Sequence, residues 1–198
     1  MNIKVFISAV LLVCFATTIA TASVIKGTVI AHGQKNGANA VISIGAIPGQ
    51  RFPAPKEHVA MNQKKLTFVP HILPVLIGTT VDFENNDNVL HNVYAGDGSP
   101  ESFNVLGWPK QQAPMHVFTQ GKSVTKLLCG YHPDMLGFIV PVETPYYAVS
   151  GTDGNYTIPN VPAGHYTLKI WHEKLPASSK VIDVGESGET VVNWELSK

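Results

Sequence analysis

The sequence is poor in cysteine. Two are present in 198 residues, Cys14 and Cys129, which rules out a framework of disulfides as the source of stability. It also has little charge: 14% of residues are charged, and 14 basic residues balance 14 acidic ones. That balance gives no basis for a nucleic-acid partner or for electrostatic attachment to a membrane. No apolar run reaches the ~20 residues needed to span a bilayer. Sustained 3.6-residue periodicity is missing as well, so no long helix is expected. Nor does the chain carry a phosphate-cradling glycine loop, a nucleophile–base pattern or a recognisable carboxylate pair. No enzymatic role is therefore read from it.

Short β-branched and aromatic runs are present instead, separated by turn residues, with 17 Gly and 14 Pro in all. This pattern predicts an all-β protein built from short strands. Residues 1–22 read as a secretory signal: Lys4 opens it, Val5 to Ala16 form the apolar core, and Ala20-Thr21-Ala22 is a small-residue cleavage site. The expected location is periplasmic or secreted. Removing the signal leaves Cys129 unpaired in an oxidising compartment, which calls for a reason.

The stretch Cys129-Gly130-Tyr131-His132-Pro133-Asp134-Met135 supplies one. It sets a thiolate, an imidazole and a thioether in one tight loop between apolar runs. These donors suit copper in both oxidation states. The second imidazole this chemistry calls for is offered by His91, in Leu90-His91-Asn92-Val93. His91, Cys129, His132 and Met135 are accordingly the expected metal ligands. His58, His71 and His116 match no ligand position. His165 and His172 fall at an odd separation on one expected strand, which puts them on opposite faces.

His91-Asn92-Val93 joined to Cys129-x-x-His132-x-x-Met135 resembles the cupredoxins, the small blue copper proteins, in their amicyanin and plastocyanin branch. Val75 to Asn85 also resembles the strand before that family's first ligand. The resemblance implies a Greek-key sandwich over residues 54–143 holding one mononuclear type 1 copper. Met135 would be the weak axial donor, and Asn92 would tie the ligand loops together, with the backbone around it donating to the Cys129 sulfur. His132 would emerge through an apolar docking face that includes Pro133, Leu136 and Leu90, and redox proteins would be the partners. Leu127 and Thr125 depart from the family, which carries an aromatic and a tyrosine there.

The flanks, residues 23–50 and 145–198, resemble a carboxypeptidase regulatory-like (transthyretin-like) sandwich, through residues 24–44 and the run from Ser150 to Leu168. The copper sandwich is then either inserted into this host or in tandem with it. Single-electron transfer between redox partners is the function expected. A copper carrier or buffer and a binding module without metal are the alternatives.

Among the strands, Val24–Ala31 is expected to turn Val24, Thr28 and Ile30 to one face. Leu66 and Phe68 are expected on a common strand face, Val81 and Phe83 to point inward, and residues 190–196 to form a single strand.

Overall fold

The computed structural model describes residues 23–110, 112–119 and 123–198; the expected signal segment lies outside them. The described residues are all-β. The strands are β1 (Ser23–Ala31), β2 (Val41–Ile44), β3 (Val59–Gln63), β4 (Phe68–Val69), β5 (Ile72–Leu76), β6 (Thr80–Asn85), β7 (His91–Ala95), β8 (Asn104–Trp108), β9 (Met115–Val117), β10 (Thr125–Leu128) and β11 (Leu136–Val142). After these come β12 (Tyr147–Val149), β13 (Asn155–Val161), β14 (Gly164–His172), β15 (Leu175–Val184), β16 (Glu189–Val191) and β17 (Trp194–Leu196).

Four sheets result, and none mixes strands of the middle segment with strands of the flanks. Orders β4-β3-β6-β9 and β5-β11-β10-β7-β8 use residues 59–142, whereas β13-β1-β16, with β17 also on β1, and β12-β2-β14-β15 use the two flanks. The first pair of sheets encloses a core around Met61, Phe83, Val93, Leu127 and Ile139. The second pair encloses a separate core around Ile25, Ile42, Ile158, Leu168 and Trp194. These are called the inner and outer sandwiches. A small third cluster joins them, with Val41 on one side and Ile72, Val140 and Val142 on the other. Where the chain leaves and re-enters the outer sandwich, β2 and β12 pair as neighbours, Tyr147 opposite Ser43. There the Thr144 hydroxyl also donates to the Ile44 carbonyl at 2.9 Å.

One expectation gains a direction and two need correction. In β1 the buried apolar side chains are Ile25, Val29 and Ala31, while Ile30 is 48% exposed. Val24, Thr28 and Ile30 share a face, as expected, and it is the one turned away from the core. Lys26 shares the parity of Val24, Thr28 and Ile30 and pairs with Glu189, so burying that face would have buried a charge. Leu66 belongs to no strand. Lys65 and Leu66 both have positive φ, 55° and 56°, and their amides donate to the Asp87 carboxylate at 2.6 and 2.9 Å. The carboxylate thus offsets the strain of two non-glycine residues in the left-handed region.

The single strand expected over 190–196 is two, β16 and β17, both parallel to β1. At the break the Asn193 side chain accepts from the Thr28 amide at 3.0 Å, in place of a backbone carbonyl. The Val192 carbonyl approaches Gly27 so closely that a Cβ there would lie 1.8 Å from it. Only glycine fits at that point. Val81 and Phe83 are both fully buried, as the alternation implied.

The Val192 carbonyl is also capped by the Tyr156 hydroxyl, which donates to it at 2.6 Å and accepts from Trp194 Nε1 at 3.3 Å. Burial pushes the Tyr156 pKa up to about 12, with Trp194 opposing. A proton held more tightly in the folded state contributes stability below the unfolded pKa of about 10 and loses it as pH rises toward the folded value. Urea unfolding across pH 9–12 should therefore show a fall in outer-sandwich stability that Tyr156→Phe removes.

Candidate metal centre

The site forms where two neighbouring strands of one sheet end together. In β10 and just beyond it, Thr125, Leu127 and Cys129 alternate inward and are buried. In β7, His91 and Val93 do the same. Because β7 and β10 pair antiparallel, with Tyr94 opposite Leu128, extending that register brings His91 and Cys129 to the same end of the sandwich on its interior side. The turn after Cys129 folds over this end, closed by the Met135 amide donating to the His132 carbonyl at 3.0 Å.

Three donor atoms converge. His91 Nδ1 and His132 Nδ1 are 3.1 Å apart, and Cys129 Sγ lies 3.8 Å from the first and 3.6 Å from the second. His91, Cys129 and His132 form the one such group of metal-capable side chains found among the described residues. Bonds of about 2.0 Å to nitrogen and 2.3 Å to sulfur from one ion would give these separations at angles of roughly 100–125°. Sulfur and nitrogen donors this close, shielded from water, fit a transition-metal ion. His91 and Cys129 are buried and His132 is half-buried. Met135 is 1% exposed and packs in the same hydrophobic cluster as Cys129.

The orientation of His91 is set from behind. Its Nε2 faces Asp87 Oδ2 at 3.0 Å. A carboxylate only accepts, so Nε2 carries the proton and Nδ1 presents a lone pair to the other donors. Burial holds the His91 pKa below its usual value; Asp87 works against this and nearby His132 adds to it. The ring is therefore neutral at neutral pH, the form that coordinates a metal. Burial raises the Asp87 pKa, but the Leu66 and Lys65 amides and His91 together bring it below the ordinary carboxylate range. Asp87 therefore stays ionised as the acceptor. In turn the Asn85 side chain accepts from the Asp87 amide and donates to the carbonyls of Val89 and Trp108. This secures the loop from β6 to β7.

Sequence reading missed Asp87. The signal was the carboxylate four residues before a candidate ligand, since a coordinating histidine needs a partner for its other nitrogen. Asp87→Ala should weaken metal binding at this site by roughly ten- to hundredfold. Competition titration against a chelator of known affinity measures this.

Asn92 sits between the two ligand segments. Its Oδ1 accepts from the Gly130 amide at 2.7 Å and lies 3.7 Å from Cys129 Sγ, while its Nδ2 donates to Asn104 Oδ1 at 3.1 Å. It is thus the side chain of Asn92, with Asn104 behind it, that links β7 to the Cys129 turn.

Of the expected docking residues, Leu90 and Pro133 are exposed and His132 is half-buried. Leu136 is half-buried and lines a crevice with Phe68, His71, Asp134 and Glu173. Two large side chains that were not anticipated are open to solvent: Leu106 and Tyr131 are 78% and 56% exposed. The Tyr131 ring lies over Gly107, where a Cβ would come within 2.8 Å of it. The other histidines have partners elsewhere. His58 meets Asp82, His116 meets Glu101, and His71 meets the Leu136 carbonyl and Glu173. His165 is exposed and His172 buried on β14.

Residues 142–192 match a family model described as polysaccharide lyase family 4, domain II, a different description from the regulatory-like family that the flanks resemble. No curated protein matches the sequence. Among solved structures, the chain is similar to a novel purple cupredoxin from Nitrosopumilus maritimus: 24% identity, 42% of this chain and 98% of that one, TM-score 0.38. It is also similar to the copper-containing nitrite reductase NirK from Thermus scotoductus, at 24% identity over 50% of this chain and 25% of that one, TM-score 0.42. A mutant of amicyanin in its reduced form is 22% identical over 52% of this chain and 98% of its own, TM-score 0.40.

Proposed function

We propose that the chain is an exported type 1 copper protein that carries single electrons between redox partner proteins. The observation that carries this reading is the convergence of Cys129 Sγ with the Nδ1 atoms of His91 and His132, with separations of 3.1 to 3.8 Å. Copper bound by two imidazoles and a thiolate, with a weak thioether, exchanges one electron between its two oxidation states.

The chain's residues do the rest. His91, Cys129 and His132 would be the strong ligands and Met135 the weak axial one. Asp87 and Asn92 hold the donors in place from β6–β7 and β7, so little has to move when the charge changes. Four protein donors leave no position for a substrate, which favours a carrier over a catalyst. His132, the least buried of the three converging ligands, is the route to the surface. Leu90, Leu106, Tyr131 and Pro133 give the face around it an apolar character. Docking there should lean on apolar contact and depend little on salt, given the balanced charge. The outer sandwich serves as a scaffold or partner-binding surface.

Titration of the metal-free protein with Cu(II) tests this. One equivalent should bind and give an intense visible thiolate band that reversible one-electron reduction bleaches. Tight Cu(I) binding without colour would favour the carrier or buffer, and no uptake would leave a metal-free module.

A further inference from the structure

The inner and outer sandwiches meet close to the metal loop, and one side chain touches both. His71, just before β5, places Nδ1 3.0 Å from the carbonyl of Leu136, the residue after Met135. Its Nε2 lies 3.3 Å from Glu173 Oε2, in the turn between β14 and β15 of the outer sandwich.

The backbone of His71 holds the same segment, since its carbonyl accepts from the Phe138 amide at 3.0 Å. The Phe138 ring then contacts the His71 ring edge-on at 5.6 Å and the Trp171 ring of β14 at 5.5 Å. The exit of the metal loop is thus clamped on one side by His71 and, through it, by the outer sandwich. The far end of the strut is itself ordered. His172 Nδ1 accepts from the Lys174 amide at 3.1 Å, and the Glu173 side chain is only 13% exposed.

We propose that His71 and Glu173 are positioning residues through which the outer sandwich fixes the exit of the Cys129–Met135 loop, and so sets the placement of Met135 at the metal. This rests on the copper reading for its consequence but not for its mechanics. A loop held at both ends by one sandwich could be built without a host. Here the second anchor comes from residues far along the chain, so the host becomes part of the centre. Anything that shifts the β14–β15 turn, such as a partner bound to the outer sandwich, would be felt at the axial donor.

The test uses the full chain with Glu173→Ala, which removes the acceptor, and, separately, His71→Phe. Glu143→Gln is the control, because it breaks a different ion pair on the seam between the sandwiches, Lys169 to Glu143 at 2.5 Å. In the metal-free protein, amide hydrogen exchange over residues 135–138 should quicken about fivefold in both strut variants, the effect of losing one net hydrogen bond. It should stay unchanged in the control. In the copper-loaded protein, the visible band and the reduction potential should shift in the strut variants alone. Exchange at the wild-type rate in both variants overturns the proposal, and so does an equal effect in Glu143→Gln. If the wild type takes up no copper, the copper reading fails, and the exchange measurement alone decides the strut.

Discussion

Cys129→Ser protein offered Cu(II) should stay without the intense visible band of the wild type. The colour of such a site belongs to the bond between copper and a thiolate. A serine hydroxyl holds its proton far above neutral pH, and its oxygen is a harder donor than sulfur. The substitution is nearly isosteric, at a position 2% exposed to solvent. Asn92 Oδ1, already 3.7 Å from the sulfur, can take the new hydroxyl as a hydrogen-bond donor. The fold should therefore survive, and loss of colour can be assigned to the ligand. Cu(I) affinity should fall by more than about a hundredfold, since even partners behind the ligands cost ten- to hundredfold when removed. Absorption spectroscopy and Cu(I) competition read the two effects. A variant that kept the band would place the sulfur outside the coordination sphere and end the type 1 reading.

The three converging side chains were legible in sequence because Cys129 and His132 fall within one seven-residue stretch and His91 stands in a short motif. Strand parity then does the placing: Leu127 and Cys129 share a face with one another, as His91 does with Val93. Partners that act across the fold were not readable. Asp87 is local to His91, but nothing in its loop of polar residues marks which side chain turns back to the imidazole. His71 and Glu173 are 102 residues apart, and neither stands in a motif. The two faces of β1 were separable by parity, but which of them points inward was not marked, because β1 carries apolar residues at both parities. Only Lys26 betrays the outward face. Nor does the sequence mark the start of β5, because proline is a poor strand residue. In β5, Pro74 is accommodated within the strand, paired in parallel with Val140.

Phe83→Ala should cost about 3–5 kcal/mol of the inner sandwich's stability. Phe83 is fully buried, and its ring stacks on Phe103 at 6.0 Å. Truncation leaves a cavity in β6, which pairs with both β3 and β9, so neither neighbour can close in without breaking its register. The loss should be confined to residues 59–142. The two large cores share no residue, and the cluster between them has only four buried members. The outer sandwich keeps its own closure, because β2 and β12 pair directly where the chain departs and returns. Hydrogen exchange in mild denaturant should therefore show amides of β6 and β10 opening in Phe83→Ala while those of β1 and β14 stay protected. The copper band should be lost with the first group. Leu168→Ala, fully buried in the outer core, should reverse the order on β1 and β14. It should affect the metal loop only through the seam at His71 and Glu173. Uniform loss of protection across all four strands in Phe83→Ala would instead mean that the chain folds as one cooperative body. The host would then be a continuation of the metal-binding core rather than a frame around it.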